Sequence, residues 1–224
     1  MIGQDVAGSG RAVTAAHVGS CPYRHHRRTL ALFTRSARAI ALLVLAVVLG
    51  APDSATARDD LWRLLSDGRH VALIRHAQAP GTGDPAGFSL TDCATQRNLD
   101  MTGRAQARRL GQRFRAAGIV RANLHTSQWC RCVETAQLME LGEPRIAPEA
   151  LNSFFGHPDR EPQARQALLR LAGIQMRDGL PMILVTHQVN ITAVTGIVPA
   201  SGEIIVVRRE DDGSLGLVGR IAPD

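Results

Sequence analysis

The sequence predicts an α/β fold: a three-layer α/β/α arrangement whose central sheet is mostly parallel and carries an antiparallel edge hairpin. Three observations lead there. Two apolar runs, Val71–Ile74 and Met182–Val185, carry no charge until they end at Arg75-His76 and Thr186-His187, the pattern of strands buried on both faces. Segments with helical apolar spacing alternate with them, as parallel strands require. Near the end, Asp211-Asp212-Gly213-Ser214 separates Glu203–Arg208 from Leu215–Ile221, which reads as a hairpin.

The 224 residues divide at 57/58. Arg24–Arg38 is basic, Ala39–Leu49 is an uncharged apolar run of signal-peptide length, and Gly50 and Pro52 break it. Ala55-Thr56-Ala57 supplies a small-x-small cleavage pattern. Residues 1–57 are therefore expected to be an N-terminal leader with a cleavable signal peptide, cut after Ala57, and residues 58–224 the functional domain. The apolar run is short for a permanent bilayer span; an uncleaved anchor is the rival reading. Export places the domain in the periplasm or outside the cell, meeting membrane only transiently through the signal peptide. All 26 basic residues are arginine, and six of them precede residue 58 against two acids. The domain keeps 20 arginines against 18 acids, so nucleic acid is not an expected partner.

Along the domain, Asp59 or Asp60 caps a short helix with Leu61, Leu64 and Leu65 on one face, ended by Gly68. The strand at Val71 opens onto residues 78–98, a loop rich in Gly, Pro, Thr and Asp and long enough to be functional. Asp100 caps a helix that buries Ala107, Leu110, Gly111 and Phe114 and stops at Gly118. A strand over Ala122–Thr126 leads to Ser127 and a helix from near Gln128. Another near Arg145–Ala147 leads to an irregular region, Glu149–Glu161. Pro162 opens a helix buried through Ala164, Ala167, Leu168 and Leu171, and Val189–Thr195 is helical after the second strand-end histidine.

Arg75, His76, Arg131 and His187 stand out, because ligands of open α/β sheets bind at the carboxyl ends of strands. A neutral imidazole can attack phosphorus and become a phosphohistidine, splitting hydrolysis into two displacements. Arginine forks bind the phosphoryl oxygens bidentately and permanently. A second histidine can donate to one of those oxygens in the transition state. Such chemistry needs neither a metal nor a cofactor, and no cysteine or histidine spacing suggests zinc.

At these residues the chain resembles the histidine phosphatase superfamily, which includes phosphoglycerate mutase-like enzymes. Ile74-Arg75-His76-Ala77 resembles the family's nucleophile motif. Asn98-Leu99 with Gly103-Arg104-Ala105-Gln106-Ala107 resembles its Leu-Thr-x-x-Gly-x-x-Gln-Ala helix start. Ser127–Ala136 resembles the segment carrying a second arginine, and Val185-Thr186-His187 the segment carrying a second histidine. The resemblance implies that His76 is the nucleophile, that Arg75 and Arg131 bind phosphate and that His187 completes the pocket. It also implies that Cys132, after the family arginine, is a buried free thiol, which leaves Cys130 as the disulfide partner of Cys93; Cys21 departs with the leader.

One family role is not filled cleanly. Members protonate the leaving group with a Glu on the loop after the third strand or an Asp directly after the second histidine. Here Gln188 follows His187, and the loop reads Ala150–Gly156 with Asn152 or Ser153 nearest the Glu position. The acid is left unassigned: Glu149 and Asp159 are candidate proton donors, with Glu161 beside them and Asp84 or Asp92 as entrants from the long loop. A lost general acid costs about 10²–10⁴-fold, least for good leaving groups. Gln78, Arg97 and Gln188 are expected substrate contacts, Trp129 a wall of its helix start, and His70, His125 and His157 structural or surface residues. The expected activity is an exported phosphatase that hydrolyses a small-molecule or envelope phosphomonoester through a phosphohistidine on His76. The alternative is a non-catalytic binder of phosphate or polyanion that keeps the pocket without the acid.

Overall fold

A computed structural model describes residues 60–174 and 178–223. The expected leader, residues 1–57, and its boundary with the domain lie outside the described residues. At the centre of the sheet, β1 (His70–Arg75) pairs in parallel with β4 (Met182–Thr186). β4 pairs in parallel with β2 (Asn123–Thr126), and β2 with β3 (Arg145–Ile146). On the other side β1 is antiparallel to β5 (Ile204–Arg209), which returns as β6 (Leu215–Ile221). The order is β3-β2-β4-β1-β5-β6, the mostly parallel sheet with an antiparallel hairpin that the sequence predicts.

Alternation along the two central strands divides the core. Ala72, Ile74, Ile183 and Val185 join Phe114 and Met139 on one face, beneath α1 (Met101–Ala116) and α2 (Cys130–Met139). Val71, Leu73, Met182 and Leu184 join Leu151, Leu168 and Ile191 on the other. That face is covered by α3 (Pro148–Leu151), α4 (Glu161–Gly173) and α5 (Gln188–Thr195). Both faces of β1 and β4 are thus buried, which is why neither strand shows polar alternation. Every parallel strand ends towards the same edge, where His76 and His187 emerge.

Asp100 caps α1 as expected, its Oδ1 accepting from the Gly103 N–H at 2.6 Å. Three local expectations need correction. The helix read from near Gln128 begins at Cys130, because Trp129, at ψ 132°, lies outside helical geometry. The region read as irregular over Glu149–Glu161 contains α3 and a 3₁₀ turn at Pro158–Arg160, pieces too short for a periodic signal. In the helical turn at 60–64, Leu65 and the half-buried Leu61 pack against the core as expected, but Trp62 rather than Leu64 joins them, packing edge-on against Phe114 at 5.0 Å.

The α1–α2 contact depends on a missing side chain. A Cβ on Gly111 would lie 2.0 Å from the Met139 carbonyl oxygen, so the helices touch backbone to backbone. Gly111→Ala should therefore destabilise the domain by about 1–3 kcal/mol. Gly173→Ala, at a helix end with open space around it, should be neutral or stabilising by up to about 1 kcal/mol. Urea titrations of the two variants check this, and equal midpoints would refute the close approach.

Candidate active site

Strand register brings the two histidines together. Arg75 lies beside Thr186, the His76 N–H donates to the Thr186 carbonyl at 2.9 Å, and the imidazole centroids of His76 and His187 are 5.5 Å apart. His76 is 2% exposed. Its Nδ1 sits 2.7 Å from the Ala77 carbonyl, which can only accept, so Nδ1 carries the proton. Its Nε2 faces the Nε–H of Arg131 at 3.2 Å, which can only donate, so Nε2 presents a lone pair. Burial first, then the Arg131 charge, push the His76 pKa down to about 3. The ring is therefore neutral, and its Nε2 lone pair accepts from Arg131 at the wall of the cavity.

The loop that holds His76 is braced by the two motif helices. The Ala77 N–H donates to Thr135 Oγ1, which in turn donates to the Arg131 carbonyl. The Gln78 N–H donates to Gln106 Oε1, and Gln106 Nε2 donates to the Ser201 carbonyl. A Cβ on Gly103 would lie 1.9 Å from the Gln78 carbonyl oxygen, so only glycine lets α1 approach this loop. The spaced Gly103, Gln106 and Ala107 are thus a support for the histidine loop rather than ligand contacts.

Arg131, 3% exposed, occupies the middle of the site. Its Nη1 is 2.9 Å from Asp84 Oδ1, and its Nη2 is 3.4 Å from His187 Nδ1. Asp84 also accepts from Trp129 Nε1 at 3.0 Å and from the Arg97 N–H at 3.1 Å. His187 Nε2 is 2.9 Å from Ser127 Oγ, and Ser127 Oγ donates to Asn152 Oδ1 at 3.1 Å. Since Arg131 only donates, His187 keeps its proton on Nε2 and gives it to Ser127. Burial, followed by the neighbouring His76 and arginine charges, holds the His187 pKa well below its ordinary value. The Trp129 ring packs edge-on against His187 at 5.1 Å, a wall as the sequence suggests.

These groups line a cavity of about 150 Å³. Arg75, His76, Arg97, Arg131, His187 and Gln188 all reach it, with Ser153 and Phe155 across from them. Arg97 is fixed through the carbonyls of Ala79 and Gly83, and Arg75 through that of Pro199. The buried Arg75 Nε has no hydrogen-bond partner among the described residues. Burial and the Arg131 charge lower the pKa of both Arg75 and Arg97, the mark of cations crowded together. Three arginines against one paired carboxylate leave a site poised for an anion.

Other expected residues fall elsewhere. Gln78 is exposed and turned towards Asp100, outside the cavity. Glu149 and Asp159, the candidate proton donors, are exposed in the first turns of α3 and of the 3₁₀ segment, where a carboxylate favours the turn's N–H groups, and neither lines the cavity. Asp84 lies beneath Arg131 and Asp92 caps the turn at Cys93–Thr95. No carboxylate lines the cavity among the described residues. The sequence reading missed the pairing of Asp84 with Arg131 and of Ser127 with His187. Ser127 lies in a recognised motif and was findable; Asp84 had no such signal. Cys93 and Cys130 form a disulfide, Cα atoms 5.7 Å apart, that ties the 78–98 loop to the start of α2. Cys132 is a buried free thiol, pushed up to about 12 by burial and therefore unreactive.

Fold and site define an α/β domain with an anion pocket, flanked by two neutral histidines, at the carboxyl edge of its parallel strands. Residues 71–157 match the family described as the Histidine phosphatase superfamily (branch 1). Among solved structures the chain is similar to mycobacterial hydrolase 1, at 14% identity and TM-score 0.52 over 70% of this chain and 99% of that one. It is similar also to an open-reading-frame product of Mycobacterium tuberculosis, at 16% identity and TM-score 0.50 over 69% and 98%. The protein histidine phosphatase SixA, solved with tungstate, gives 18% identity and TM-score 0.49 over 69% and 97%. No curated protein matches the sequence. The resemblance to the histidine phosphatase superfamily is borne out, and it supports phosphatase activity in general terms.

Neutral burial of His76 has a pH consequence. Its folded pKa, about 3, lies below the unfolded value near 6.5. Stability is therefore full above pH 6.5 and falls as the pH drops towards 3, because the unfolded chain takes the proton first. Between pH 7.5 and 4.5 the His76 share of that loss should be about 2.5–3 kcal/mol. Denaturant titrations of wild type and His76→Asn should show the smaller loss in the variant; identical slopes with pH would contradict a neutral His76.

Proposed function

We propose that this protein is an exported phosphatase that hydrolyses a phosphomonoester through a phosphohistidine at His76. One observation carries the reading: a neutral imidazole, its Nε2 lone pair held beside Arg131, in a cavity shared with Arg75 and Arg97. In the first step Nε2 forms a bond to phosphorus as the ester P–O bond breaks and the leaving oxygen departs with the electron pair. The proton on Nδ1, bonded to the Ala77 carbonyl, stabilises the positive ring that results. In the second step water attacks phosphorus, the N–P bond breaks and inorganic phosphate leaves. The arginine forks carry the charge on the equatorial oxygens throughout. His187 donates to a phosphoryl oxygen once the arriving anion lets its Nδ1 hold a proton.

With no carboxylate in the cavity wall among the described residues, the leaving oxygen takes its proton from water or departs unprotonated. Esters of acidic alcohols such as phenols are then the better substrates. A second reading, a phosphate or polyanion binder without turnover, draws on the same missing carboxylate. The two separate on one experiment with 4-nitrophenyl phosphate. Hydrolysis by the wild type, faster than that of a simple alkyl phosphate by about 10²-fold or more, together with its loss and the loss of acid-labile phosphate labelling in His76→Ala, supports the enzyme. Full activity in His76→Ala rejects the mechanism, while thermal protection by phosphate with no ester turned over favours the binder.

Export belongs to the same proposal and rests on the basic segment, apolar run and Ala55-Thr56-Ala57 pattern of the leader. Mass measurement of the protein recovered from a secreting bacterial host should give an N-terminus at Arg58; an intact leader would support the membrane-anchor reading instead.

A further inference from the structure

The catalytic cavity is large enough for a phosphoryl group and little more, so the rest of any substrate must lie beyond it. One way out is at Ser153, which lines both the cavity and a groove of about 610 Å³ between α3 and α4, larger than the groove of about 290 Å³ that meets the cavity at Gln188 and Val189. The volume of the Ser153 groove is typical of small-molecule sites, roughly 300–1,000 Å³. Phe154, Ala164 and Ala167 give it an apolar strip, with Pro148 exposed at its edge and the polar side chains of Asn152, Gln163 and Gln166 beside it. Arg160 and Arg170 stand on its rim, and neither has an ion-pair partner among the described residues. Glu149 is the one carboxylate along it, so the groove is cationic overall.

We propose that this groove receives the leaving group and selects substrates whose apolar body ends in a second anionic group, a carboxylate or a further phosphate. The proposal rests on the phosphatase reading. The apolar side chains take the body of the leaving group, and a guanidinium at either end of α4, Arg160 at its N-cap or Arg170 in its last turn, takes an acid group bidentately. Ser153, at the junction, is small enough to leave the passage open. The groove thus supplies discrimination that the phosphoryl cavity cannot, because the cavity meets only the part common to all phosphomonoesters.

The test compares three aryl phosphates that differ only in the para substituent: propyl, carboxyethyl and phosphonoethyl. The wild type should hydrolyse at least one of the anionic probes with kcat/KM about tenfold above the propyl probe, and the stronger of the two identifies the acid group. In Arg160→Gln/Arg170→Gln the preference should fall to near unity, chiefly through KM. No preference in the wild type, a preference unchanged in the double variant, or an equal loss on all three probes overturns the proposal. If no probe is hydrolysed, it is the phosphatase reading that fails. The groove is then judged by calorimetric binding of the matching arylmethylphosphonates, where tighter binding of the anionic ones must again depend on the two arginines.

Discussion

The site depends on where the Arg131 guanidinium is held. Asp84 takes one edge of it, His76 and His187 lie against the others, and its carbonyl is joined through Thr135 to the backbone of the histidine loop. Buried ion pairs rarely add net stability, because the cost of removing both charges from water consumes the attraction. The value of this pair lies in register. Asp84 belongs to the loop 78–98 and Arg131 to α2, so their contact fixes the loop against the helix. The Trp129 indole, the Gln96 bond to the Cys130 N–H and the Cys93–Cys130 disulfide fasten the same two segments. Arg97 is carried into the cavity by that fastened loop.

The fold was legible where burial is symmetrical. β1 and β4 are covered on both faces, so their sequences are unbroken apolar runs, and their ends mark the functional edge whatever the helices do. The hairpin and the Asp100 cap are short-range features, determined by a few adjacent residues, and they read just as directly. What did not read was settled by contacts between distant segments. The segment before α2 is shaped by distant contacts: the Ser127 hydroxyl, held by His187 and Asn152, takes the Trp129 N–H, and Trp129 is left outside helical geometry at ψ 132°. Trp62 turns inward because Phe114, far along the chain, offers it an edge.

The site divides in the same way. Arg75, His76 and His187 could be named because strand ends deliver them, and Arg131 because it opens a helix after one. Arg97 and Gln188 reach the cavity as expected, whereas Gln78, one position beyond the braced Ala77, is turned out by the pairing of its own N–H with Gln106. Asp84 shows the limit most clearly. On sequence it is one carboxylate among several in a flexible-looking stretch, and only loop closure turns it into the partner of the central arginine. Glu149 and Asp159 fail for the converse reason: nearness in sequence to the expected acid position puts them on helix turns that face solvent.

Among the described residues no carboxylate stands in the cavity wall, and this fits the charges around it. A carboxylate there would pair with Arg75 or Arg97 in the empty site and offset their field. It would also stabilise the protonated form of His76, which on the proposed reading would remove its attacking lone pair. With Asp84 confined beneath Arg131, the free cations keep both effects in the other direction: the anion is attracted and the imidazole stays neutral. If the protein is the proposed phosphatase, the cost is a leaving group without a proton donor, and that cost falls most lightly on substrates whose leaving oxygen is already a weak base. On that reading the pocket's charge, the protonation of His76 and the preferred leaving group all follow from keeping acids out of this wall.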